Sequence, residues 1–463
     1  MGIAFISRYR VRSIEEFMQI DKTIFKAYDI RGTYPDQINA NIYRAIGTAV
    51  GNVLSAKTAV VGHDMRNSSP ELADALIKGL LAAGVDVVDV GLASTDSLYF
   101  AVGKYGYDCG AMVTASHNPS KYNGLKISKK GAEPLSSEGE LAEILKIVQT
   151  DAMKNAAKPG TLSKRDIIGD FIDHALSFID LKTIKPYKIV ADAGNGMAGL
   201  IVPQLFKKLP GELIPMYFEL DGSFPNHPAS PIEPENIADL RKRVIAEKAD
   251  FGVAFDGDAD RMFLVDENAK PLGGDMVTAM VARSMLTKNP GAKIIYNLIC
   301  SKAVPKVITD NGGVPIRTRV GHAFIKALMK ENNAIFGGEH SGHFYFRDNW
   351  FADSGLIAFV VCLELLSKSS KKLSELVASF DTNSRSGEIN SRVSDIKAKL
   401  QELEKAFPDA KIDKLDGVTI DCGDYWFNVR PSNTEPLLRL NLEAETETLM
   451  HQATDKVLGI IRR

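Results

Sequence analysis

Short apolar runs alternate with amphipathic stretches along most of the chain, and polar or glycine-rich loops separate them. The first clear unit contains an apolar run at residues 58–62, which predicts a β-strand. Ser69 as the cap and Pro70 at the first helical position predict a helix, which Gly84 ends. Residues 85–90 predict the next strand. This alternation of strand and helix is typical of an α/β fold.

The same alternation recurs twice further along the chain. Residues 188–192 and 214–219 predict two strands joined through a glycine-rich loop and a helix, which together form a βαβ unit. Two apolar runs, residues 292–297 and 313–318, predict a third sheet. A late helix of this unit is predicted at residues 355–366.

The pattern changes after two polar segments, residues 367–372 and 381–386, which we predict to be surface linkers. Beyond them the sequence predicts an α+β unit in which one helix, three short strands and a terminal helix occupy residues 393–406, 418–422, 425–429, 437–442 and 446–461. We therefore predict four domains. Their boundaries are an N-terminal extension at 1–22, domain I at 23–164, domain II at 165–268, domain III at 269–384 and domain IV at 385–463.

Composition and charge narrow the classes of function. The 56 Lys and Arg residues and 58 Asp and Glu residues give a formal net charge of −2, so the basic excess typical of nucleic-acid binding is missing. The longest uncharged apolar run, residues 356–363, is well short of the roughly 18 residues that span a membrane. Four widely separated cysteines predict reduced thiols in a cytoplasmic protein. Residues 1–22 carry arginines after an apolar start, so we predict no export role for them.

Three aspartates alternate in the loop Asp-Gly-Asp-Ala-Asp-Arg, directly after an apolar run. Carboxylates at the alternate positions Asp256, Asp258 and Asp260 of an extended loop can turn toward one point, where they suit a hard cation such as Mg²⁺. A calcium loop of the helix–loop–helix kind is one alternative, but it needs glycine at its sixth position, where this loop has Arg261. A solvated acidic turn is the other alternative, although such turns rarely follow so apolar a run.

A second loop, Met-Val-Thr-Ala-Ser-His-Asn-Pro at residues 112–119, places a serine next to a histidine. Ser116 is a candidate nucleophile, with His117 and, ten residues later, Lys126 as candidate acid, base or charge partners. Serine and asparagine also favour turns, so an ordinary turn stays open as an alternative. A hydrolase with a Ser-His-Asp triad is disfavoured, because no G-x-S-x-G elbow surrounds Ser116.

A third loop, Phe-Gly-Gly-Glu-His-Ser-Gly-His at residues 336–343, combines acceptors and donors on a flexible backbone. Glu339 accepts hydrogen bonds and Ser341 both donates and accepts them, which suits sugar hydroxyls. Zinc binding by His340 and His343 is the alternative. It is disfavoured because the spacing is not the helical H-E-x-x-H arrangement and a glycine interrupts it.

A fourth loop lies between two predicted strands of the last unit. Arg430 offers a fork of donors to a phosphate, and the residues that follow can complete an anion nest with their side chains and amides; they are Ser432, Asn433 and Thr434. Polar residues beside prolines are also common in ordinary hairpins, so that interpretation stays open.

The glycines Gly194, Gly196 and Gly199 follow a predicted strand and precede a helix, with Glu219 at the end of the next predicted strand. This spacing satisfies much of the dinucleotide-binding fingerprint. Two residues separate the strand from the first glycine, and the other loops would have no role in hydride transfer. We therefore interpret the glycines as permitting close packing between helix and strand.

Taken together and in this order, the four loops resemble the signature loops of the α-D-phosphohexomutases, in particular the phosphomannomutase/phosphoglucomutase branch. Four further motifs support the resemblance, at residues 25–32, 61–66, 221–226 and 321–322. It covers residues 23–463. The resemblance implies a heart-shaped α/β protein of four domains, three related α/β domains and a C-terminal α+β domain, which each contribute one loop to a central cleft.

The resemblance also implies roles for individual residues. Ser116 would be the phosphoserine and a metal ligand, Asp256, Asp258 and Asp260 the other Mg²⁺ ligands, and His117, Lys126 and Arg261 catalytic groups beside them. The substrate-binding residues implied are Tyr28, Arg31, His322, Glu339, Ser341, Arg430, Ser432, Asn433 and Thr434.

The reaction implied is the interconversion of mannose 6-phosphate and mannose 1-phosphate through a phosphoserine and a hexose 1,6-bisphosphate, with activity on glucose phosphates as well. Mg²⁺ would be the cofactor and hexose 1,6-bisphosphate the activator. The partners expected are small-molecule hexose phosphates, with no nucleic acid and no membrane, for a cytoplasmic monomer or homodimer. A phosphoglucosamine mutase, an Asp-x-Asp sugar phosphatase and a sugar-phosphate-binding protein without activity are the alternatives.

Two segments depart from the family pattern. Ser-Thr-Asp at residues 94–96 stands where a Thr-Pro pair is common. Asn-Leu-Ile-Cys at residues 297–300 stands where many relatives carry a Lys or Arg, for which Lys302 is a candidate substitute. Both departures concern the outer part of the expected site and leave the four loops intact.

Overall fold

The computed structural model describes residues 20–432 and 437–463. Four β-sheets succeed one another along the chain, and helices pack against each of them. The α/β class with a C-terminal α+β domain, predicted from the sequence, is confirmed. Most of the predicted N-terminal extension, residues 1–19, lies outside the described residues.

The first sheet is mixed, with strand order β1-β5-β4-β2-β3-β7 and a short β6 on β5. Its strands are β1 Ile30–Thr33, β2 Thr58–His63, β3 Asp86–Leu92, β4 Cys109–Val113, β5 Tyr122–Lys129, β6 Glu133–Pro134 and β7 Leu162–Lys164. Its helices are α1 Ala40–Leu54, α2 Ser69–Ala82, α3 Thr95–Tyr105 and α4 Glu140–Gln149. β4 is buried along its whole length, as expected of an apolar central strand covered on both faces.

The predicted cap of α2 is wrong by one residue. The helix begins at Ser69 itself, and Ser68 occupies the N-cap position without a side-chain hydrogen bond. The hydroxyl of Ser69 donates instead to Asp64 Oδ1, at 2.5 Å. A carboxylate in the loop after β2 thus competes successfully for the hydroxyl that the sequence assigned to capping.

The second sheet has the order β12-β11-β10-β8-β9. Its strands are β8 Tyr187–Asp192, β9 Gly211–Met216, β10 Phe251–Phe255, β11 Met262–Asp266 and β12 Pro271–Leu272, and its helices are α5 Ile168–Leu176, α6 Ala198–Phe206 and α7 Ala238–Glu247. β8, β9 and β10 run parallel, whereas β11 returns antiparallel to β10. The acidic loop is therefore the turn of a hairpin. β9 ends at Met216, so the strand predicted to reach Glu219 is shorter than expected.

The glycines of the nucleotide-like fingerprint lie where backbones approach closely. A Cβ on Gly199 would lie 2.2 Å from the carbonyl oxygen of Phe218, and one on Gly196 would lie 2.7 Å from that of Gly257. The interpretation of close packing is therefore supported by geometry at both glycines. The partner of Gly196 is the acidic loop, so this glycine allows that loop to be supported from behind.

The third sheet has the order β14-β13-β15-β16. Its strands are β13 Lys293–Asn297, β14 Val314–Thr318, β15 Phe336–Gly338 and β16 Phe344–Phe346, and its helices are α8 Gly274–Lys288, α9 Ala303–Asp310, α10 His322–Asn332, α11 Gly355–Lys368 and α12 Leu373–Ala378. The predicted late helix is α11, whose side chains are buried nearly all round. A continuous apolar core joins the second and third units through α8 and α11.

The fourth sheet is wholly antiparallel, with the order β17-β21-β20-β19-β18. Its strands are β17 Ser384–Arg392, β18 Lys411–Asp413, β19 Val418–Asp421, β20 Tyr425–Pro431 and β21 Leu437–Ala444, and its helices are α13 Ile396–Ala406 and α14 Glu447–Ile461. The three predicted strands are present, but β17 and β18 were not predicted. The interpretation of residues 381–386 as a linker is wrong at its end, because β17 begins at Ser384.

Across residues 20–432 and 437–463, none of the helices has both the length and the apolar character needed to span a membrane.

Candidate active site

Ser116 lies in the loop between β4 and β5 and is 4% exposed. Its hydroxyl donates to Asp256 Oδ2 at 2.9 Å and accepts from Arg261 Nη2 at 3.1 Å. The Nδ1 atom of His117 lies 3.2 Å from the same hydroxyl. The predicted nucleophile and the predicted metal loop, 140 residues apart, are thus in direct contact.

The three aspartates of the β10–β11 turn are all buried, and each contributes an oxygen to a group whose members lie within 4.8 Å of one another. Lys126 Nζ donates to Asp258 Oδ2 at 2.7 Å and to Asp260 Oδ2 at 2.6 Å. The remaining oxygens of these two carboxylates, both Oδ1, are buried and have no hydrogen-bond partner in the part of the chain that the structure describes. Unpartnered buried carboxylate oxygens are costly unless a cation binds them, so the residues fit a divalent cation.

Protonation of the cluster follows from burial and from its own charges. Burial raises the pKa of Asp256 in spite of the neighbouring Arg261, with further contributions from Asp260 and Asp258. Burial also opposes ionisation of Asp258, but Lys126 more than offsets it and holds the pKa of Asp258 below its usual value. The three carboxylates of this buried loop together carry one more negative charge than Lys126 and Arg261 neutralise. An additional positive charge, such as a bound cation, is therefore again favoured.

His117 lies between Ser116 and Arg261. The guanidinium of Arg261, together with burial, holds the pKa of His117 well below its usual value, so the ring is neutral. For Lys126, burial lowers the pKa, but Asp258 and Asp260 raise it further, so the pKa is well above its usual value. Lys126 is therefore a fixed cation at the edge of the carboxylate cluster.

Arg31 contacts the Ser116 loop, and Tyr28 contacts His322. The Arg31 guanidinium donates to Asn118 Oδ1 at 2.6 Å, and its Nε is buried without a partner. The rings of Tyr28 and His322 meet edge to face, with centroids 4.2 Å apart. Burial, followed by the charge of Lys326, lowers the pKa of His322 to about 3, so this ring is also neutral.

The third loop is the turn of the β15–β16 hairpin. Glu339 is buried and accepts from the Tyr345 hydroxyl at 2.7 Å and from the Gly321 backbone N–H at 3.2 Å. Ser341 Oγ lies 3.1 Å from His343 Nδ1. His343 groups with Asp260 and with Asp353, whose ligand atoms lie within 4.8 Å of it. The loops of the first three units therefore converge on one place.

The two histidines of this loop, His340 and His343, have different neighbours. His343 faces the carboxylate cluster, whereas His340 Nδ1 lies 3.9 Å from Asp275 Oδ1. Among the described residues, the groups that could hold a metal ion include His343 but do not include His340. The zinc alternative, which needs both histidines on one ion, is therefore not supported.

Arg430 is buried in β20 and pairs with Glu388 on β17, with 2.8 Å between Nη2 and Oε2. Among residues 20–432 and 437–463, its buried Nε has no hydrogen-bond partner. Arg439 binds the other oxygen of Glu388 at 3.1 Å and donates to Ser432 Oγ at 3.4 Å. Asn433 and Thr434 lie outside the described residues.

A turn in the fourth unit connects Arg430 to the third unit. A Cβ on Gly417 would lie 2.6 Å from the Cα of Arg430, so only glycine fits at this position. The neighbouring Asp416 accepts from the backbone N–H of Val320 at 3.1 Å. Val320 precedes Gly321 and His322, so the turn that packs against Arg430 is hydrogen-bonded to the segment that leads to His322.

Comparison with known proteins agrees with this arrangement. Family models described as phosphoglucomutase/phosphomannomutase α/β/α domains I, II and III match residues 22–155, 169–273 and 273–382, and the model of the C-terminal domain matches residues 388–460. The chain belongs to the phosphoglucomutase/phosphomannomutase family. It is therefore an enzyme, an isomerase that transfers a phosphoryl group.

Similar proteins match this family member over almost its whole length. Phosphohexose mutases of Xanthomonas campestris pv. campestris are 40% identical over 442 residues, covering 95% of this chain and 99% of theirs. A phosphomannomutase of Escherichia coli K12 is 40% identical over 449 residues, covering 94% and 98%. The crystal structure of a phosphoglucomutase/phosphomannomutase family protein from Burkholderia thailandensis is 33% identical, has a TM-score of 0.87 and covers 96% and 97%.

Several residues at the site of this phosphoglucomutase/phosphomannomutase family member were not predicted from its sequence. Thr95 belongs to the departure at residues 94–96, which we expected in the outer part of the site, but its hydroxyl donates to Oδ2 of Asp258, the central aspartate, at 2.5 Å. Lys326 Nζ pairs with Asp353 at 3.2 Å, and both side chains are almost fully buried. The spacing of His322 and Lys326, four residues apart on α10, was a usable signal, because such residues share a helix face.

At the second departure from the family pattern, residues 297–300, Asn297 and the candidate substitute Lys302 have different roles in this family member. Asn297 takes part in the site, with its Nδ2 3.4 Å from Glu339 Oε1. Lys302, the candidate substitute for a missing basic residue, pairs with Asp421 at 3.0 Å. It lines a cavity of about 230 Å³ between the third and fourth sheets, together with Arg317 and Trp426. Lys302 therefore contributes to the interface between these two units.

Proposed function

We propose that the protein is a phosphomannomutase that interconverts mannose 6-phosphate and mannose 1-phosphate through a phosphoserine at Ser116. The observation that carries the proposal is the contact of the Ser116 hydroxyl with Asp256 and Arg261, at 2.9 and 3.1 Å. A serine held between a carboxylate cluster and a guanidinium is suited to carry a phosphoryl group. Phosphoryl transfer depends mainly on positioning and on neutralising charge.

The reaction proposed has two transfers. In the first, the bond between Ser116 Oγ and phosphorus breaks, a bond forms between phosphorus and a free hydroxyl of the sugar monophosphate, and the proton of that hydroxyl is released to water. The product is a hexose 1,6-bisphosphate. In the second, the bisphosphate presents its other phosphoryl group, which returns to Ser116 Oγ as the serine hydroxyl loses its proton. We propose that this second proton is released to water, because His117 Nδ1, 3.2 Å from Oγ, already accepts from Arg261 Nη2, whose charge holds the pKa of His117 well below its usual value.

Asp256, Asp258 and Asp260 would hold Mg²⁺ with a phosphate oxygen on Ser116. When bound, Mg²⁺ neutralises charge on the transferred phosphoryl group. Lys126 and Arg261 act as fixed cations on either side. Lys126 bonds Asp258 and Asp260, whereas Arg261 bonds Asp256 and Ser116. This division of contacts supports a role for both in stabilising charge.

The phosphate that does not react would bind at one cluster of the fourth unit, which comprises Arg430, Ser432, Asn433 and Thr434. The support is that Arg430 carries a buried Nε without a partner and that Asp416 attaches this unit to the segment before His322. Glu339 and Ser341 would hold sugar hydroxyls, and Tyr28, Arg31 and His322 would make further contacts. Because the sugar must present either end, one cluster has to accept both phosphates in turn.

We also propose domain boundaries at residues 23–164, 165–272, 273–383 and 384–463, the last because β17 of the fourth sheet begins at Ser384. The second boundary differs from the 268 expected from sequence because β12, Pro271–Leu272, pairs with β11 of the second sheet. Activity on glucose phosphates, activation by hexose 1,6-bisphosphate, a cytoplasmic location and a monomeric or homodimeric state stay predictions from the resemblance.

The proposal is tested by intact mass and peptide mapping of the purified protein, combined with a coupled assay on mannose 1-phosphate. We expect phosphate on the peptide that contains Ser116 and conversion to mannose 6-phosphate in the presence of Mg²⁺. Release of inorganic phosphate without isomerisation would instead indicate a phosphatase. Absence of phosphoserine from a protein that turns over the sugar would contradict the covalent route.

A further inference from the structure

Arg66 is a buried arginine in the loop after β2, and only 1% of its surface is exposed. A guanidinium has five N–H donors, and here every one of them has an acceptor. Nε donates to Asp64 Oδ2 at 3.2 Å. The other four donate to backbone carbonyls of one loop, those of Ser116 at 2.8 Å, Asn118 at 2.6 Å, Pro119 at 3.0 Å and Tyr122 at 3.0 Å. One side chain thus binds four backbone carbonyls in and directly after the Ser116 loop.

The backbone that Arg66 holds is in an unusual conformation. Ser116 has φ +51°, in the left-handed region that residues with a Cβ rarely adopt. Such a conformation persists only where the surroundings impose it. The Ser116 carbonyl lies between Arg66 Nη2 on one side and Gly257 of the acidic loop on the other, where a Cβ would approach to 2.5 Å. Both neighbours fix this carbonyl, and so the direction of the Ser116 side chain.

Arg66 is itself fixed by a closed set of hydrogen bonds. Asp64 accepts from the Arg66 backbone N–H at 3.0 Å and from the Ser69 hydroxyl at 2.5 Å. Asn123 Nδ2 donates to the same Ser69 hydroxyl at 2.9 Å. Asn123 directly follows Tyr122, whose carbonyl accepts from Arg66. These hydrogen bonds therefore connect Asp64 and Ser69 to the loop that Arg66 binds. A rigid network of this kind leaves the guanidinium little freedom to move.

Two residues of the second unit also pack against Arg66. The ring of Phe224 lies 5.1 Å from Arg66 Cζ, within cation–π distance. Gly222 packs against the Arg66 backbone, where a Cβ would lie 2.5 Å from its Cα. Both residues belong to the motif at residues 221–226, for which the proposed reaction has no direct use. This motif therefore contacts the Ser116 loop indirectly, through Arg66.

We propose that Arg66 is a positioning residue, which holds Ser116 in the geometry needed to take up and release a phosphoryl group, and that Phe224 and Gly222 support it from the second unit. The inference rests on the proposed function, because it assumes that Ser116 carries the phosphoryl group. Lysine cannot replace arginine in this role, since its ammonium has three donors and no planar fork.

The first test is Arg66→Lys, which keeps the charge. Phosphorylation of the variant by glucose 1,6-bisphosphate is followed by intact mass, and kcat and KM are measured with mannose 1-phosphate. We expect phosphoserine formation and kcat to fall at least about 100-fold, since a displacement of about 1 Å has that effect on catalysis. KM should change less than about threefold, because Arg66 is placed against the backbone of the Ser116 loop and not among the groups proposed to bind the sugar.

A purely structural role is excluded by a control in the same core. Leu76→Ala in α2 removes a side chain that is 1% exposed and belongs to the apolar cluster of the first unit. It should lower the thermal midpoint while leaving kcat per folded molecule within about threefold, because it leaves the contacts between Arg66 and the Ser116 loop in place. The proposal would be overturned if Arg66→Lys lowered the thermal midpoint as much as Leu76→Ala does but retained the wild-type kcat.

A milder variant keeps the proposal testable if Arg66→Lys does not fold. Phe224→Leu removes only the ring against the guanidinium, and we expect a smaller fall in phosphoserine formation, about three- to tenfold, again with KM preserved. An unchanged rate of phosphoserine formation in this folded variant would count against the proposal.

The same measurements distinguish failure of the proposed function from failure of this inference. If the wild-type protein itself forms no phosphoserine at Ser116, the proposed function fails. If the wild type forms it and Arg66→Lys forms it equally fast, only the role of Arg66 fails.

Discussion

Thr95 donates its hydroxyl hydrogen to Oδ2 of Asp258 at 2.5 Å, and its backbone N–H donates to the carbonyl of Asp258 at 3.1 Å. The same Oδ2 accepts from Lys126. Two donors therefore occupy one oxygen of this carboxylate and leave Oδ1 as the oxygen available to a cation. Thr95 is the first residue of α3, so a helix of the first unit orients the central aspartate of the second.

Thr95→Val should raise the Mg²⁺ concentration needed for half-maximal rate about 10-fold or more, since groups that orient a metal ligand commonly contribute 10- to 100-fold in affinity. Valine keeps the shape and removes the hydroxyl. Thr95→Ser is the matched control and should behave like the wild type. Equal Mg²⁺ requirements in the valine and serine variants would contradict the role of the hydroxyl.

Ser116→Ala should remove most mutase turnover, because no oxygen is left to carry the phosphoryl group between the two transfers. The fold and the affinity for sugar phosphates should persist, since the hydrogen-bond partners of the lost hydroxyl among the described residues are Asp256, Arg261 and His117, none of which is proposed to bind the sugar. Turnover is measured with added hexose 1,6-bisphosphate, and affinity by calorimetry. Near-normal turnover would show that the reaction does not pass through this serine.

Arg430→Ala should weaken the binding of sugar phosphates by about 1.5–3 kcal/mol, the scale of a hydrogen bond to a charged group. Glu388 would keep its second partner, Arg439, at 3.1 Å, so the strand pair should stay intact. Arg462→Ala, which removes an arginine that bonds Ser391 in the same unit, is the control. A loss confined to kcat, with affinity retained, would place Arg430 at the reacting phosphate instead.

Asp96 provides a prediction about stability and pH. It is fully buried and accepts from the Ser354 hydroxyl at 2.7 Å, and burial, only partly offset by the Ser94 and Ser354 hydroxyls, raises its pKa to about 7. Between pH 4 and 7 the folded protein therefore binds a proton that the unfolded chain has lost. By linkage, this carboxyl makes the free energy of unfolding decrease as pH rises through that window, after which its effect is constant.

Asp96→Asn removes this titration. Relative to the wild type, the variant should gain up to about 1.4 kcal/mol of stability for each pH unit between pH 5 and 7, and little more above pH 7. Thermal midpoints of both proteins across this range measure the difference. Asp74→Asn, an exposed change of the same charge, should give no such trend. A difference that does not depend on pH would refute the assignment to Asp96.

The four loops of the site could be predicted from the sequence because each carries its chemistry in a few adjacent residues. Asp256, Asp258 and Asp260 alternate in one turn, and Glu339 and Ser341 lie in another. Thr95 could not be found in this way, because 163 residues separate it from Asp258 and only the fold brings them together. The pair of Lys326 with Asp353 is hidden for the same reason.

The strand β17, Ser384–Arg392, could not be predicted from the sequence either. It is almost entirely polar and has no alternation of buried positions. It is a strand because it pairs with β21 along its length, with an irregularity between Arg385 and Glu388. Pairing of backbone groups with a neighbour does not require apolar side chains, so the hydrophobic pattern could not reveal it. By contrast, β10, which is buried at every position, was recognised as the apolar run before the acidic loop.

The last prediction concerns which sugar is used. Mannose and glucose differ at carbon 2, whereas the resemblance places Glu339 and Ser341 at the hydroxyls of carbons 3 and 4. A site that does not contact carbon 2 distinguishes the epimers poorly, because discrimination needs a clash or a group left unpaired. We therefore expect kcat/KM for mannose 1-phosphate and glucose 1-phosphate to agree within about 10-fold, or about 1.4 kcal/mol.

Glucosamine 1-phosphate should be a poorer substrate for the same enzyme preparation. Its ammonium at carbon 2 needs a carboxylate, and the oxygens of Glu339 already accept from the Tyr345 hydroxyl and the Gly321 backbone N–H. A preference above about 100-fold for one epimer would show that a group of the site does contact carbon 2. A preference for glucosamine 1-phosphate would mean that one of these bonds to Glu339 is exchanged for the ammonium, and it would assign the protein to the phosphoglucosamine branch.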